Sequence, residues 1–395
     1  MTGAAPPRGF PAGEYADRTA RAQSLMAAAG LDAMLLTTEP EIRYFSGFLT
    51  QFWQSPTRPW FLILPAAGKP VAVIPAIGAA CMGATWVDDI RTWPSPAPAD
   101  EGVSLLAATV AESVGPGGRL GVPMGAETHV RMPLADFYRL RDLLPGIAVA
   151  DATDVVRTLR MVKSPAEIAK IGHICIIASD VFDGLAGHLR PGMSEIDIFR
   201  LFRMQCLAAG ADDVAYLVGG AGPGGYGDII SPPSARSVVD GDVLILDTGA
   251  VFDGYYCDFD RNYAFGHADA AVERAHETLF EATEAGFRAA QPGAECRDVF
   301  RAMQAVLSGG DGGEGNAVGR LGHGLGMQLT EWPSLTADDA TVIRPGMVLT
   351  LEPALAPRPD RMPGRIMVHE ENIVVGADGP RWLSRRAPQR LPVIS

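Results

Sequence analysis

Apolar and polar positions along the first ~150 residues switch between a helical and a strand-like rhythm, the mark of an α/β unit. Tyr15 to Gly30 reads as a helix that stops at its glycine. LDAMLLTT, from Leu31, predicts a buried strand, and FLILP and VAVIP, from Phe61 and Val71, predict two more. The stretch from Pro94 to Gly102, rich in Pro, Ala and acid, predicts a surface loop.

A second unit opens at Lys163-Ser164-Pro165-Ala166-Glu167, with Ser as N-cap, Pro at the first helical position and Glu at the third. This signal starts a helix running to about His188, and the domain boundary is placed before it, giving domains of 1–151 and 152–395. The second unit repeats itself. Pro191-Gly192 followed by Asp197 is echoed by Pro292-Gly293 followed by Asp298, and GDVLILD, ending at Asp247, is echoed by GMVLTLE, ending at Glu352. Both echoes recur at an offset of roughly one hundred residues, which predicts two similar α/β halves about a pseudo-twofold axis. Acids ending equivalent strands would then point into one shared cleft.

Composition narrows the function classes. A formal charge of -13 opposes nucleic acid as a partner, and part of it can be carboxylates committed to metal. No apolar run approaches the ~20 residues needed to cross a bilayer, and the N-terminus lacks a basic start and apolar core, so a cytoplasmic protein without membrane partners is expected. The five scattered cysteines argue against a disulfide framework or a cysteine-built zinc site, and Cys257 reads as a small apolar strand residue.

Asp253-Gly254 between two apolar runs predicts a two-residue hairpin. Phe252 then pairs with Tyr255, Asp247 falls opposite Asp260, and Asp258 lies diagonally on the same face. Like charges so placed want a cation, although Arg261 or backbone amides could answer them instead. His323, in Gly322-His323-Gly324-Leu325-Gly326, brings a neutral imidazole close to the backbone. Glu352 ends an apolar strand before Pro353. Glu370 precedes a strand of alternating faces, so Glu370 and Glu371 point to opposite sides. Four carboxylates and one imidazole suit a pair of divalent cations bridged by water.

The run Asp247-x-Gly249…Gly254-Tyr255-x-x-Asp258-x-x-Arg261, with GHGLG around His323, GMVLTLEPAL at Glu352 and HEENIVV at Glu370, resembles the M24 metallopeptidases. That family has the pita-bread fold and includes aminopeptidase P, prolidase, methionine aminopeptidase and creatinase. LDAMLLTTEPEIRYFSGF resembles the creatinase/prolidase N-terminal domain, so the likeness covers nearly the whole chain. It implies an α/β (α+β) chain, an N-terminal domain followed by a pseudo-twofold catalytic domain, and hydrolysis of an Xaa-Pro-type amide bond in a small peptide or amide substrate. It further implies that Asp247 chelates one metal and His323 binds the other. Asp258 and Glu370 bridge the two, and Glu352 binds the second metal and shuttles the proton. Manganese is the expected ion, with cobalt, zinc or iron accepted by the same donors. A homodimer is expected by likeness. In such a dimer Trp53, Arg58 and Trp60 could wall a partner's cleft, with core packing as their simpler use.

Three positions depart from the family pattern. Thr330 replaces a second histidine, Ile230 aligns with another, and Val368 stands where an arginine is common. Asp260, Thr330, Glu331 and Trp332 are therefore candidate substrate contacts, and Asp260, which stands where Thr or Ser is usual and faces the metals, could be an additional metal ligand, bind a substrate amine, or simply pair with Arg261 or another arginine. His369, beside Glu370, should face away from the metals. The departures keep open a non-peptidase alternative: a small-molecule amidohydrolase, a creatinase-like enzyme or a lyase.

Overall fold

The computed structural model describes residues 4–309, 319–355 and 365–395. The chain divides into two compact units, Pro7–Arg160, and Met161–Ser395 together with the described residues before Pro7. Among the described residues no helix is long and apolar enough to cross a membrane.

The first unit is a six-stranded mixed sheet of β1 (Ala33–Leu36), β2 (Phe61–Pro65), β3 (Val71–Pro75), β4 (Asp89–Trp93), β5 (Arg119–Val122) and β6 (Ala148–Asp151), in the order β4-β3-β2-β1-β5-β6. The runs read as buried strands are buried throughout β1 and nearly so in β2 and β3, as expected of strands covered on both faces. Helix Ala12–Ala29 closes at left-handed Gly30, whose N–H reaches the Ala27 carbonyl, while Leu31 bonds to Met26. Trp53 and Trp60 pack with Phe48 in the interior of this unit, which is the simpler of their two expected uses. Helix Thr153–Met161 stands at the end of this unit. That helix is tied back by the Gly125 N–H to Thr153 Oγ1 (2.8 Å) and by the Tyr44 hydroxyl to the Leu159 carbonyl (3.4 Å).

In the second unit, helix Pro165–Leu185 starts with the capping box that Ser164 and Glu167 announce. Two sheets follow. One comprises β7 (Asp213–Pro223), β8 (Asp242–Phe252), β9 (Tyr255–Tyr256), β10 (Phe259–Phe265) and β18 (Val393–Ile394). The other comprises β11 (His323–Gly324), β12 (Glu331–Ser334), β13 (Val348–Leu351), β16 (Glu371–Gly376) and β17 (Gly379–Trp382). The short strands β14 (Ala354–Leu355) and β15 (Met367–Val368) pair with each other.

The duplication reaches the level of single backbone bonds. Gly192 N–H donates to Val238 and Gly293 N–H to Ile343. Glu195 N–H donates to Arg236, and Cys296 N–H to Thr341. Gly241 N–H donates to Phe265 and Gly346 N–H to Val375, both at 2.8 Å. Gly192 and Gly293, at φ 90 and 89, make the same left-handed turn, which explains the repeated Pro-Gly. Val243, Ile245, Leu349, Leu351, Ile373 and helix residues Val299 and Met303 share one apolar core, so the ends of β8 and β13 are rigidly seated.

Candidate metal centre

The first three acids are placed by a hairpin. Asp253 and Gly254 both take positive φ (48 and 76), the backbone of a type I′ turn, and Phe252 pairs with Tyr255. The register then sets Asp247 directly against Asp260. Lys170 holds the turn through a buried ion pair with Asp253 at 2.5 Å. Between β9 and β10 the ladder breaks at Cys257 and Asp258. There the side chain of Asn372 stands in for a strand partner: its Oδ1 accepts from the Asp258 N–H at 2.9 Å and its Nδ2 donates to the Asp258 carbonyl. Cys257 is buried, as a small apolar residue should be, but it lies in the break between β9 and β10 and not in a strand.

The second half supplies the imidazole. A Cβ on Gly322 would lie 2.3 Å from the Thr350 carbonyl oxygen and one on Gly324 2.4 Å from the Trp332 oxygen, so neither flanking position admits a side chain. His323 Nδ1 lies 2.9 Å from the Gly324 carbonyl, which can only accept; this assigns the proton to Nδ1 and leaves Nε2 bare. Nε2 is 3.5 Å from Asp258 Oδ2 and 3.9 Å from Glu352 Oε2. Asp258, His323 and Glu370 each offer a donor atom, all within 4.8 Å of one another. Glu371, on the other face, bonds Arg261 (3.2 Å), Ser384 Oγ and the Ala387 N–H.

Burial sets the electrostatics. It pushes the Asp258 and Glu370 carboxyls well above the usual range, with Asp247, Glu352 and each other as like-charged neighbours. Burial raises Asp247 to about 7 and Glu352 to about 6. His323 is pushed down to about 4, first by burial and then by the Arg320 charge, so its imidazole is neutral. Asp247 Oδ1, Asp260 Oδ2 and Glu370 Oε1 are buried with no hydrogen-bond partner among the described residues. Orphaned carboxylate oxygens are costly in a protein interior. Together with one bare imidazole nitrogen they form a donor set that fits divalent cations.

Sequence reasoning passed over three residues here. Tyr216 on β7 lies beside Asp247, whose charge acts on its hydroxyl, and Gly249 makes room for it, since a Cβ there would meet Tyr216 Cβ at 2.9 Å and Leu329 at 2.3 Å. Arg320 brings the positive charge that acts on Asp258, His323 and Glu352. Asn372 lies two residues past Glu370 on the same strand rhythm, which was a usable signal, but its mate at Asp258 could not be read.

The candidate substrate contacts disperse. The Glu331 carboxylate, buried, accepts from Lys163 Nζ (3.0 Å) and from the N–H groups of Met327 and Gln328 (2.8 and 3.1 Å), so it holds the 326–330 turn. Thr330 on that turn is half-buried, and Trp332 packs against the apolar core. Ile230 is 75% exposed, whereas Val368 is buried in the core with its N–H on the Tyr226 hydroxyl. Asp260 alone of these candidates lies on the acidic face. His369 turns away from the acids, its Nε2 lying 3.0 Å from His276 Nδ1.

Comparison with known proteins gives the same picture at the scale of the chain. Residues 169–377 match the model of metallopeptidase family M24, and residues 18–162 match that of the creatinase/prolidase N-terminal domain. A probable dipeptidase PepE of Mycobacterium tuberculosis is 29% identical over 399 residues, covering 98% of each chain. The crystal structure of dipeptidase PepE from Mycobacterium ulcerans superposes with a TM-score of 0.83 at 28% identity, over 98% of this chain and 99% of that one. A recombinant prolidase from Thermococcus sibiricus shares the fold, with a TM-score of 0.83 at 23% identity over 96% of this chain and 99% of its own.

Proposed function

This chain belongs to metallopeptidase family M24, and on that premise we propose that it is an Xaa-Pro-type dipeptidase that cleaves the amide bond of a small peptide at a dinuclear centre. The observation that carries the reading is the convergence of donor atoms from Asp258, His323 and Glu370 within 4.8 Å, beside buried carboxylate oxygens that have no hydrogen-bond partner among the described residues. The names of the PepE relatives support the dipeptidase class.

Asp247, Asp258, His323, Glu352 and Glu370 would hold two ions. Bound divalent cations supply Lewis acidity, lowering the pKa of a coordinated water from ~15.7 towards neutrality and polarising a carbonyl oxygen. Manganese suits this oxygen-rich set, and cobalt, zinc and iron accept it too. The protein contributes orientation and proton handling. The Glu352 side chain is 23% exposed against 5% for Asp258, so it is the more accessible of these two acids. It would take a proton and return it to the leaving nitrogen. Tyr216 lies beside Asp247, and Asn372 fixes the backbone that presents Asp258.

The test is hydrolysis of Ala-Pro, Gly-Pro and an Xaa-Pro-containing tripeptide by manganese-loaded protein, beside an identically treated Glu352→Ala control. Turnover that disappears in the control is the expected result. Absence of turnover in protein that has bound its metal would overturn the peptide substrate.

A further inference from the structure

We infer that Asp260 is a further metal ligand, joining the five proposed above, and that it biases the centre towards hard, oxygen-preferring divalent ions. This rests on the dinuclear reading of the same site. The case comes from the duplication. The paired bonds Gly241 to Phe265 and Gly346 to Val375 fix equivalent registers in the two halves. Six residues on from each glycine stand Asp247 and Glu352; five residues back from Phe265 and Val375 stand Asp260 and Glu370. Asp247 and Asp260 are direct partners on their ladder. Leu351 and Glu371 are partners on the other, which makes Glu352 and Glu370 the next pair outward. Each half therefore delivers one opposed pair of carboxylates to the same cleft. Asp260 is the pseudo-twofold counterpart of Glu370, where Thr or Ser is usual in the family pattern.

Among the described residues no side chain bonds the Asp260 carboxylate. It is 2% exposed. The Glu370 N–H donates to its carboxylate, while Oδ2 is buried with no partner. Arg261, the neighbour that could have neutralised it, directs its guanidinium to the carbonyls of Asp260, Glu370 and Arg385 and to Glu371 Oε2. The Arg261 charge acts on Asp260, but among the described residues no ion pair joins a cation to its carboxylate, and opposed like charges so placed call for an external cation. A further carboxylate makes the donor set harder, which favours manganese over zinc.

The experiment compares wild type with Asp260→Asn, which keeps the shape, and Asp260→Thr, which keeps a hydroxyl. Each chain is stripped with chelator, then titrated with Mn²⁺ and with Zn²⁺ by calorimetry, and its metal content is counted by mass spectrometry. Circular dichroism melts are run on the stripped chains. The expected result is two ions in wild type, with one of them bound about tenfold or more weakly in both variants. The manganese preference should shrink and the stripped variants should melt no lower than wild type. Variants that bind both ions with wild-type affinity and preference would overturn the assignment. A wild type that takes a single ion would instead sink the dinuclear reading. Asp260 would then stand or fall on whether Asp260→Asn weakens that ion.

Discussion

At the scale of the residue, the centre is a set of acids held where carboxylates are unwelcome. In the metal-free chain Asp247 sits at about 7 and Glu352 at about 6, against ~4 for unfolded carboxyls. The folded state then holds more protons than the unfolded state between about pH 4 and 7, so its stability is greatest in acid and falls as the pH rises through that window. His323, at about 4, works the other way, but it is one group against Asp247, Asp258, Glu352 and Glu370. We therefore expect the urea midpoint of chelator-treated protein to fall from about pH 5 to about pH 7.5, and bound manganese to flatten or reverse the slope. A flat metal-free profile would mean that the acids have other partners. Glu352→Gln should lower kcat by about 10²–10⁴-fold, the range for a lost general acid–base group, measured on metal-saturated protein. Much of this was legible in the chain. The Asp253-Gly254 turn fixed which acids oppose each other, and strand alternation separated Glu370 from Glu371. Tyr216 and Arg320 escaped because their roles depend on tertiary approach, through the space at Gly249 and the course of the chain into β11.

At the scale of the element, buried ion pairs hold the turns that carry the site. Lys163, at the start of helix Pro165–Leu185, meets Glu331 at 3.0 Å, and Gly326 leaves the room: a Cβ there would lie within 3 Å of both side chains. Glu331→Ala would strand the Lys163 charge in the interior and should cost about 3–5 kcal/mol in urea unfolding. Lys163→Met/Glu331→Leu should recover a good part of that loss. Equal losses for the single and double changes would place the effect outside the pair. Sequence spacing put Glu331 beside a missing family histidine and so made it a substrate contact. A lysine 168 residues away in the chain, which no local pattern reveals, gives it a structural task.

At the scale of the whole molecule, the duplicated unit was visible as two short echoes, and the structure extends them to matching backbone bonds. Ions that bind the folded chain alone stabilise it by about 2.7 kcal/mol per site at a hundredfold excess over Kd. Hydrogen exchange should accordingly slow on metal loading at residues 246–262, 321–325, 348–353 and 369–373, and stay unchanged in the sheet of the first unit. Protection spread evenly over both units would contradict a local centre. The family premise also leads us to propose a homodimer; light scattering that returns the mass of one chain would remove that proposal.

The grip of Asn372 on Asp258 has a consequence of its own. An amide carries no formal charge at any physiological acidity, and neither do the backbone groups it clasps. The clasp is thus indifferent to protonation and nearly indifferent to added salt, unlike every carboxylate around it. As the acids gain or lose protons, the loop bearing Asp258 keeps its place, and an arriving ion finds its seat already shaped.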